Sequence, residues 1–200
     1  MTALLDSLAA AAADLQDLRS PFALVGGLAV SIRTEPRFTR DADLVVSVDS
    51  DREAEETVRA LTGRGYAVHA AVEQTALGRL ATARLRSRVA GGIIVDLLFA
   101  SSGIEPEIAA EAEVMTIARG VQIPTARIGH LIALKLLSQD AERRRQDLID
   151  LDHLKVVARD ADWDLAALAC SLIVERGYHR DRDLMNLLSV LKSEVSDERQ

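Results

Sequence analysis

The chain has 200 residues, of which 48% are hydrophobic and 3% aromatic, and its formal net charge is −7. This length can bury the core of one α/β domain with a small helical extension, and the acidic balance leaves only a local basic patch to attract nucleic acid. A single cysteine, Cys170, excludes an internal disulfide framework and a cysteine-based zinc site, while the lack of a signal peptide or a long apolar run predicts a cytoplasmic protein with no membrane partner.

The first part of the chain is predicted to alternate between helices and strands. Apolar residues at helical spacing predict a helix over residues 3–18, which Ser20-Pro21 ends. Apolar runs, acidic first turns and glycine-containing ends define the segments that follow. These are a strand at 22–27, a helix at 27–34, a loop at 35–40, a strand at 41–48, a helix at 49–65, a strand at 66–72, a hairpin at 79–100 that turns at Gly91-Gly92, a short helix at 106–113 and a pair of short strands at 114–126.

The pattern becomes helical from Ile128 onward. Helices are predicted at about 128–139, 141–159, 164–177 and 181–192, followed by a frayed tail. We place a boundary near residue 125, with an α/β domain over 1–125 and a helical region over 126–200. The predicted fold class is therefore α+β: a small mixed sheet flanked by helices, against which a C-terminal helical bundle packs, with Trp163 and Cys170 in its core.

Two aspartates stand at the mouth of the strand predicted at 41–48. Side chains alternate along a strand, so Asp41 and Asp43 point the same way while Leu44 and Val46 point to the other face. Two such carboxylates repel each other unless a cation lies between them, and Mg²⁺ prefers oxygen ligands of this kind together with phosphate oxygens. The alternative is a solvated loop that begins an ordinary strand.

A third aspartate lies inside an apolar strand. The run GGIIVDLLFA is typical of a buried strand, and Asp96 stands in its middle. A buried carboxylate without a partner costs several kcal/mol, so a metal, an arginine or a set of donors must stabilise it. Arg84, Arg86 and Arg88 alternate on the neighbouring strand, and a one-residue choice of register decides whether they face Asp96.

A glycine pair, Gly26-Gly27, lies where a strand turns into a helix. Glycine permits close approach of the backbone and leaves the amides at the helix start open to an anion. Taken alone, the pair could equally form a tight turn.

The order of these motifs resembles the nucleotidyltransferase superfamily of the DNA polymerase β type. That superfamily is marked by hG[G/S], then D-h-[D/E]-h, then a third acid on a neighbouring strand. This chain has LVGG, DADL with 13 residues between Gly27 and Asp41, and IVDLLF. The resemblance covers roughly residues 20–100.

A second motif is similar to that of AbiEii-type nucleotidyltransferases, the toxin halves of some toxin–antitoxin pairs. GHLIALKLLSQDAERRRQDLIDLDHL supplies Lys135, an arginine among residues 143–145, and then Asp147 and Asp150. Members of that family often have lysine before the first of these aspartates, where this chain has Gln146.

The resemblance implies a set of roles. The backbone of Gly26 and Gly27 would cradle nucleotide phosphates, and one or two Mg²⁺ ions would bridge the triphosphate of an NTP substrate. Lys135 would neutralise charge on the phosphates, and one of the two later aspartates would act as an acid beside the metal or the acceptor. The implied metal ligands are Asp41, Asp43 and Asp96, and the alternative role of Asp96 is to orient or deprotonate the acceptor hydroxyl. The other nucleotide-binding candidates are Ser31, Arg33 and Arg40.

Structural alternatives remain open for several of these residues. Lys135 lies among apolar neighbours and could extend from an amphipathic helix to solvent. Asp147 and Asp150 could pair at the surface with the arginines at 143–145, on a helix whose apolar stripe is Leu148, Leu151 and Leu154.

The distribution of arginines bears on whether the acceptor of the transferred group is an RNA. Residues 76–88 contain four arginines and no acid, and Arg33, Arg37 and Arg40 flank the aspartate pair, so these residues could line an RNA groove or merely balance acidic helices. Phe38 alone offers a ring near the site for base stacking.

Three functions remain open. The first is a Mg²⁺-dependent nucleotidyltransferase that modifies RNA, such as tRNA, and acts as a toxin neutralised by an antitoxin protein. The second is the same chemistry on a small molecule such as an antibiotic. The third is a non-catalytic nucleotide-binding or partner protein, against which the retained acids argue.

Overall fold

The computed structural model describes residues 2–37, 39–74, 78–89, 91–117, 120–138 and 145–198. The helices are α1 (Thr2–Asp17), α2 (Gly26–Arg33), α3 (Asp51–Gly63), α4 (Glu105–Ala110), α5 (Ile128–Ser138), α6 (Arg145–Val157), α7 (Asp160–Glu175) and α8 (Leu184–Glu198). The strands are β1 (Phe22–Val25), β2 (Ala42–Val46), β3 (Ala67–Gln74), β4 (Arg79–Arg86), β5 (Ile94–Leu98), β6 (Glu113–Thr116) and β7 (Gln122–Thr125).

The strands form one mixed sheet in the order β3-β4-β5-β2-β1-β7-β6. β2 runs parallel to β5 and antiparallel to β1, and β1 is parallel to β7. The predicted hairpins are antiparallel pairs, β4 with β5 and β6 with β7. The predicted α+β class is confirmed, and the two aspartate-bearing strands, β2 and β5, lie side by side at the middle of the sheet.

The central strands form where the sequence is apolar on both faces. Every residue of β1 is buried, and in β2 only Asp43 is partly exposed. The helix that follows β2 starts at a capping residue, Ser50, whose hydroxyl accepts from the amide of Glu53. Such caps satisfy amides that lack partners within the helix, so the chain leaves the sheet at a defined point after β2.

The C-terminal helices pack on each other and on the sheet. α5 contacts α6, α7 and α8, and α2 contacts both α5 and α6. The predicted core residues Trp163 and Cys170 are buried, and residues on both sides of position 125 belong to one apolar cluster. This packing brings α5 and α6 against the end of the sheet from which α2 begins.

A buried aspartate ties the N-terminal helix to the rest of the sheet. Asp14 accepts from Arg64 at 2.8 Å, from the hydroxyl of Tyr66 at 2.8 Å and from Arg88 at 2.9 Å. Burial raises the pKa of the Asp14 carboxyl, but the hydrogen bonds from Arg88, Arg64 and Tyr66 outweigh burial, so the net pKa is lowered. The cluster therefore favours the folded state while Asp14 is ionised.

Two expectations about the C-terminal helices are wrong. The last helix continues to Glu198 where a frayed tail was expected, because Leu184, Leu188 and Leu191 are buried and Val195 extends the same face onto the core. Leu148 is 39% exposed and does not belong to the inward stripe of α6. Within the described ranges, none of the helices has the length and apolar character needed to cross a membrane.

Candidate active site

The site lies on one row of side chains that crosses the sheet. Val25 is paired with Asp43, Asp43 with Asp96, Asp96 with Arg84, and Arg84 with Ala70. All five residues line a cleft of about 480 Å³ between the sheet and α5. Neighbouring strands lie about 4.8 Å apart, so the row places two carboxylates and a guanidinium side by side at the bottom of the cleft.

The register between β4 and β5 settles how Asp96 is stabilised. Arg84 faces Asp96 and donates to both of its oxygens, from Nε at 2.9 Å and from an Nη at 2.6 Å. Arg86 is exposed and Arg88 binds Asp14. Asp96 therefore has the arginine partner that the sequence left open, and it also lies in the cleft.

Among the described contacts, no arginine or lysine donates a hydrogen bond to the carboxylate of Asp43. Burial, together with repulsion by Asp96 and Asp41, raises the pKa of this carboxyl from 3.8 to about 6. Attraction to Lys135 and Arg84 acts in the opposite direction but is outweighed. A buried carboxylate whose pKa is raised in this way, with a second carboxylate beside it, is a site for a further positive charge.

Asp41 lies just before β2 and is partly exposed. Ala42 between the two aspartates is fully buried, which agrees with the expected alternation of Asp41 and Asp43 toward one side. Asp41 is close enough to raise the pKa of Asp43, but it is not among the residues that line the cleft.

The carboxylate of Asp43 lies so close to position 26 that only glycine fits there. Its φ is +66°, and a Cβ at this position would lie 1.9 Å from Oδ2 of Asp43. Val25, Gly26 and Gly27 line the cleft at the start of α2, where no side chain caps the helix. The amides at this end therefore face the cleft without a side-chain acceptor, a typical arrangement for binding an anion.

The predicted lysine and the two later aspartates form one buried ionic network. Nζ of Lys135 lies 2.6 Å from Asp147 and 2.7 Å from Asp150. Ser138 donates to the other oxygen of Asp147 at 3.0 Å. Lys135, Ser138 and Asp147 line the cleft, whereas Asp150 is fully buried behind them. All three side chains are buried, so the alternatives of a solvent-exposed lysine and of aspartates at the surface are wrong. The side chains at 143–145, considered as partners of these aspartates, lie outside the described residues.

Arg37 completes this network from the loop between α2 and β2. Its guanidinium binds Asp150 at 2.7 and 2.8 Å and lies where a Cβ on Gly27 would be, at 2.3 Å from an Nη atom. Burial raises the pKa of Asp150, but Arg37 and Lys135 outweigh burial and the net pKa is lowered. The second glycine therefore makes room for an arginine that joins the loop before Asp41 to α6.

The remaining nucleotide-binding candidates lie outside the cleft. The hydroxyl of Ser31 exchanges hydrogen bonds with the backbone of Arg37 at 3.3 and 3.4 Å. Arg33 donates to the carbonyls of Thr125 and Ala126 and binds Glu113, while Arg40 is exposed. These three residues are not brought together with the carboxylate row.

Most of the arginines considered for an RNA groove have internal partners. Arg37 is part of the buried network, Arg79 binds Asp51, and Arg88 binds Asp14. Of the four arginines in residues 76–88, Arg84 is the one that lines the cleft. Phe38, Arg143, Arg144 and the side chain of Arg145 lie outside the described residues.

Sequence reasoning missed part of the opposite wall. Ser101, Ser102 and Arg180 line the cleft, and Arg180 donates to the carbonyl of Ser101 at 2.9 Å. Glu105 holds this turn by accepting from both serine amides, at 2.8 and 2.6 Å. The S-S-G sequence after β5 indicated a turn, but no local signal connects Arg180 with it.

The carboxylates of the cleft are oxygen donors of the kind that a divalent metal such as Mg²⁺ requires. In the described part of the chain, no group of three or more His, Cys, Asp or Glu side chains is arranged to hold a metal ion. Magnesium, however, is usually bound through one or two carboxylates, with water and substrate phosphates as its other ligands. The facing pair Asp43 and Asp96 fits that mode, and Asp41 adds negative charge beside it.

The fold is similar to that of solved nucleotidyltransferase-like proteins. The structure is similar to that of an antigenic nucleotidyltransferase-like protein from Paracoccidioides brasiliensis, with a TM-score of 0.54, 20% identity, and coverage of 94% of this chain and 93% of that one. It also matches a putative nucleotidyltransferase from H. pylori (TM-score 0.45, 18% identity, 96% of this chain and 91% of that one) and the antibiotic-resistance factor ANT(2'')-Ia (TM-score 0.47, 17% identity, 98% and 91%).

The family follows from the sequence itself. The model of the family described as nucleotidyl transferase AbiEii toxin, type IV toxin–antitoxin system, matches residues 8–200. The chain therefore belongs to the AbiEii nucleotidyltransferase toxin family, as its motifs predicted. No curated protein matches the sequence.

Proposed function

We propose that this nucleotidyltransferase moves a nucleoside monophosphate from an NTP to an RNA acceptor in a Mg²⁺-dependent reaction. The observation that supports this most directly is the facing pair Asp43 and Asp96, which lies in the cleft next to the uncapped start of α2. A metal-bound triphosphate needs both parts: carboxylates for the metal and backbone amides for the phosphates.

The nucleotide phosphates would bind at Gly26 and Gly27. The amides at the start of α2 carry a partial positive charge because the peptide dipoles are aligned. Lys135 would contribute its ammonium group from the α5 side of the cleft. Asp147 and Asp150 hold that ammonium in place, so we assign them positioning roles, with Asp147 at the cleft and Asp150 behind it.

The metal would be held by Asp43 and Asp96, with Asp41 adding negative charge next to them. Mg²⁺ bound there would neutralise the phosphates and stabilise the attacking and leaving oxygens. Asp43 would gain from a cation there, because burial and then repulsion by Asp96 and Asp41 raise the pKa of its carboxyl.

The proposed reaction conserves all atoms and charge. An acceptor hydroxyl oxygen forms a bond to the α-phosphorus, the bond from that phosphorus to the oxygen bridging to the β-phosphate breaks, and pyrophosphate leaves. The hydroxyl proton passes to the carboxylate of Asp96, which lies in the cleft beside Asp43. The in-line geometry would depend on positioning rather than on covalent chemistry by the protein.

An anionic acceptor suits the cleft better than a polycationic antibiotic. Arg84 and Arg180 line the wall beyond the carboxylates, and phosphate groups are the usual partners of arginine. The negative charges of Asp147 and Asp96 are already matched by Lys135 and Arg84. We infer that the protein acts in the cytoplasm on RNA such as tRNA, as a toxin restrained by an antitoxin protein.

Calorimetric titration tests the nucleotide site. Each NTP is titrated, with and without Mg²⁺, into the wild type, Asp43→Asn and the exposed control Asp164→Asn. We expect Mg²⁺-dependent binding that weakens by at least about tenfold in Asp43→Asn, which is about 1.4 kcal/mol, and stays unchanged in the control. Absence of NTP binding under every condition would contradict the proposal.

A further inference from the structure

The pair formed by Arg84 and Asp96 has a consequence for the metal site. Arg84 donates to both oxygens of Asp96 at 2.9 and 2.6 Å. Two-point pairing of this kind is geometrically specific and engages both oxygen atoms of the carboxylate. In the proposed function, Asp96 must offer the same oxygens to Mg²⁺.

A guanidinium and a divalent cation oppose each other at one carboxylate. Arg84 is attracted by Asp43 and Asp41 as well as by Asp96, so it balances part of the negative charge of the whole row. A metal ion between Asp43 and Asp96 would compensate the same charge and would repel the guanidinium at close range. Simultaneous binding of the Arg84 guanidinium and a metal ion to the carboxylate of Asp96 is therefore unfavourable.

We propose that Arg84 and the metal compete for Asp96, and that metal binding turns Arg84 toward phosphate oxygens in the cleft. The inference rests on the proposed function. Arg84 is a positioning residue here: it holds Asp96 in place before the metal binds, and its charge becomes available afterwards.

The surroundings of Arg84 permit this exchange. Its side chain is 44% exposed, whereas that of Asp96 is 9% exposed, so the arginine can move while the aspartate stays. Its neighbours toward the cleft edge, Ala70 and Thr82, are small and line the same cleft. The released guanidinium would stay within the cleft because β4 fixes its backbone. Phosphate oxygens, from the NTP or from the RNA, match its planar set of donors.

The test measures metal binding in the absence of nucleotide. Mn²⁺ or Mg²⁺ alone is titrated into the wild type, Arg84→Gln and the control Arg86→Gln. Arg86 is an exposed arginine two residues along the same strand, so the control removes the same charge without touching Asp96. We expect Arg84→Gln to bind the metal more tightly by on the order of tenfold, and Arg86→Gln to differ little from the wild type.

A double-mutant cycle separates competition from general charge effects. In an Asp96→Asn background, Arg84→Gln should tighten metal binding much less than it does with Asp96 present, because only its attraction to Asp43 and Asp41 remains. Equal metal affinities of the wild type and Arg84→Gln, or a tightening of the same size without Asp96, would overturn the inference. Arg84→Lys keeps the charge without the two-point pairing, and it should also bind the metal more tightly than the wild type if folding is preserved.

The proposed contact between the released Arg84 and phosphate oxygens is measured separately. With saturating metal, Arg84→Gln should bind either the NTP or the RNA more weakly than Arg86→Gln does, and the affected ligand identifies the source of the phosphate. Unchanged affinity for both ligands would overturn this part of the inference. A wild type that binds neither metal nor NTP would refute the proposed function itself, a result distinct from failure of the competition alone.

Discussion

Replacing Asp43 by asparagine is expected to stabilise the metal-free protein while it removes activity. Asp43 is ionised at neutral pH, although burial and repulsion raise the pKa of its carboxyl to about 6. Asparagine has the same shape, so it fits against Gly26, but it has no charge. The substitution therefore removes the cost of burying a charge, together with the repulsion by Asp96 and Asp41.

The magnitude follows from the pKa. A carboxyl at about 6 in the folded state and at an ordinary value of 3.8 when unfolded corresponds to roughly 3 kcal/mol at most. Screening by solvent at this partly exposed residue reduces the expected gain to roughly 1–2 kcal/mol. For a chain of this size, that is an increase of about 2–8 °C in melting temperature.

The ionisation of Asp43 also fixes the direction in which the free energy of unfolding changes with pH. Between about pH 4 and pH 6 the folded protein retains a proton on Asp43 that the unfolded chain has lost, so ionisation of Asp43 lowers the free energy of unfolding as pH rises through this window. The difference between Asp43→Asn and the wild type should be absent near pH 4 and complete by about pH 7.

Thermal denaturation in a chelating buffer at several pH values measures this difference. Asp164→Asn, at an exposed position on α7, controls for removal of one negative charge from an acidic protein. Equal or lower melting temperatures for Asp43→Asn at pH 8, or a difference that does not depend on pH, would refute the reasoning. Added Mg²⁺ should raise the melting temperature of the wild type and have little effect on Asp43→Asn.

Three further substitutions test the parts that build the site. Asp14→Asn should have the opposite pH dependence, because the pKa of Asp14 is lowered; its destabilisation should be full above about pH 4 and disappear as pH falls through the lowered pKa, and a loss that persists in acid, measured by urea denaturation, would contradict this. Arg37→Met should destabilise by roughly 2–4 kcal/mol, because it leaves the fully buried Asp150 with less compensating charge; urea denaturation beside Arg86→Met as a control checks this, and equal losses would contradict it. Gly26→Ala should abolish NTP binding and lower the melting temperature, since its Cβ would lie 1.9 Å from Asp43 at a φ of +66°, whereas Gly63→Ala, which meets nothing within 4 Å, should raise stability by about 0.5–1 kcal/mol.

Local pattern accounts for the elements that the sequence predicted. The apolar run around Asp96 and the alternation after Asp41 identified two buried strands, and the glycine pair identified the turn into α2. These signals depend on neighbours in the chain, which is why they survive without a structure. The end of the last helix was missed because Val195 stands among polar residues, and only its contact with the core shows that the helix continues.

Partners far apart in the chain were beyond this reasoning. Arg37 and Asp150 are separated by 113 positions, and neither residue has a local feature that identifies the other. The register between β4 and β5 likewise places Arg84, and not Arg86, opposite Asp96, although both side chains lie on the same side of β4. Packing decides these pairings, so the motifs predicted the acids and Lys135 but not that Arg84 and Arg37 bind Asp96 and Asp150.

The measurement that most directly tests the central claim is transfer of labelled phosphate to RNA. Each NTP, labelled at either the α- or the γ-phosphate, is incubated with Mg²⁺ and total RNA, using the wild type, Asp43→Asn, Asp96→Asn and the control Asp164→Asn, all shown to be folded. The account predicts that α-label alone enters RNA, with the wild type and the control, and that both cleft variants lose transfer. Entry of γ-label, or full transfer by folded Asp43→Asn, would contradict it.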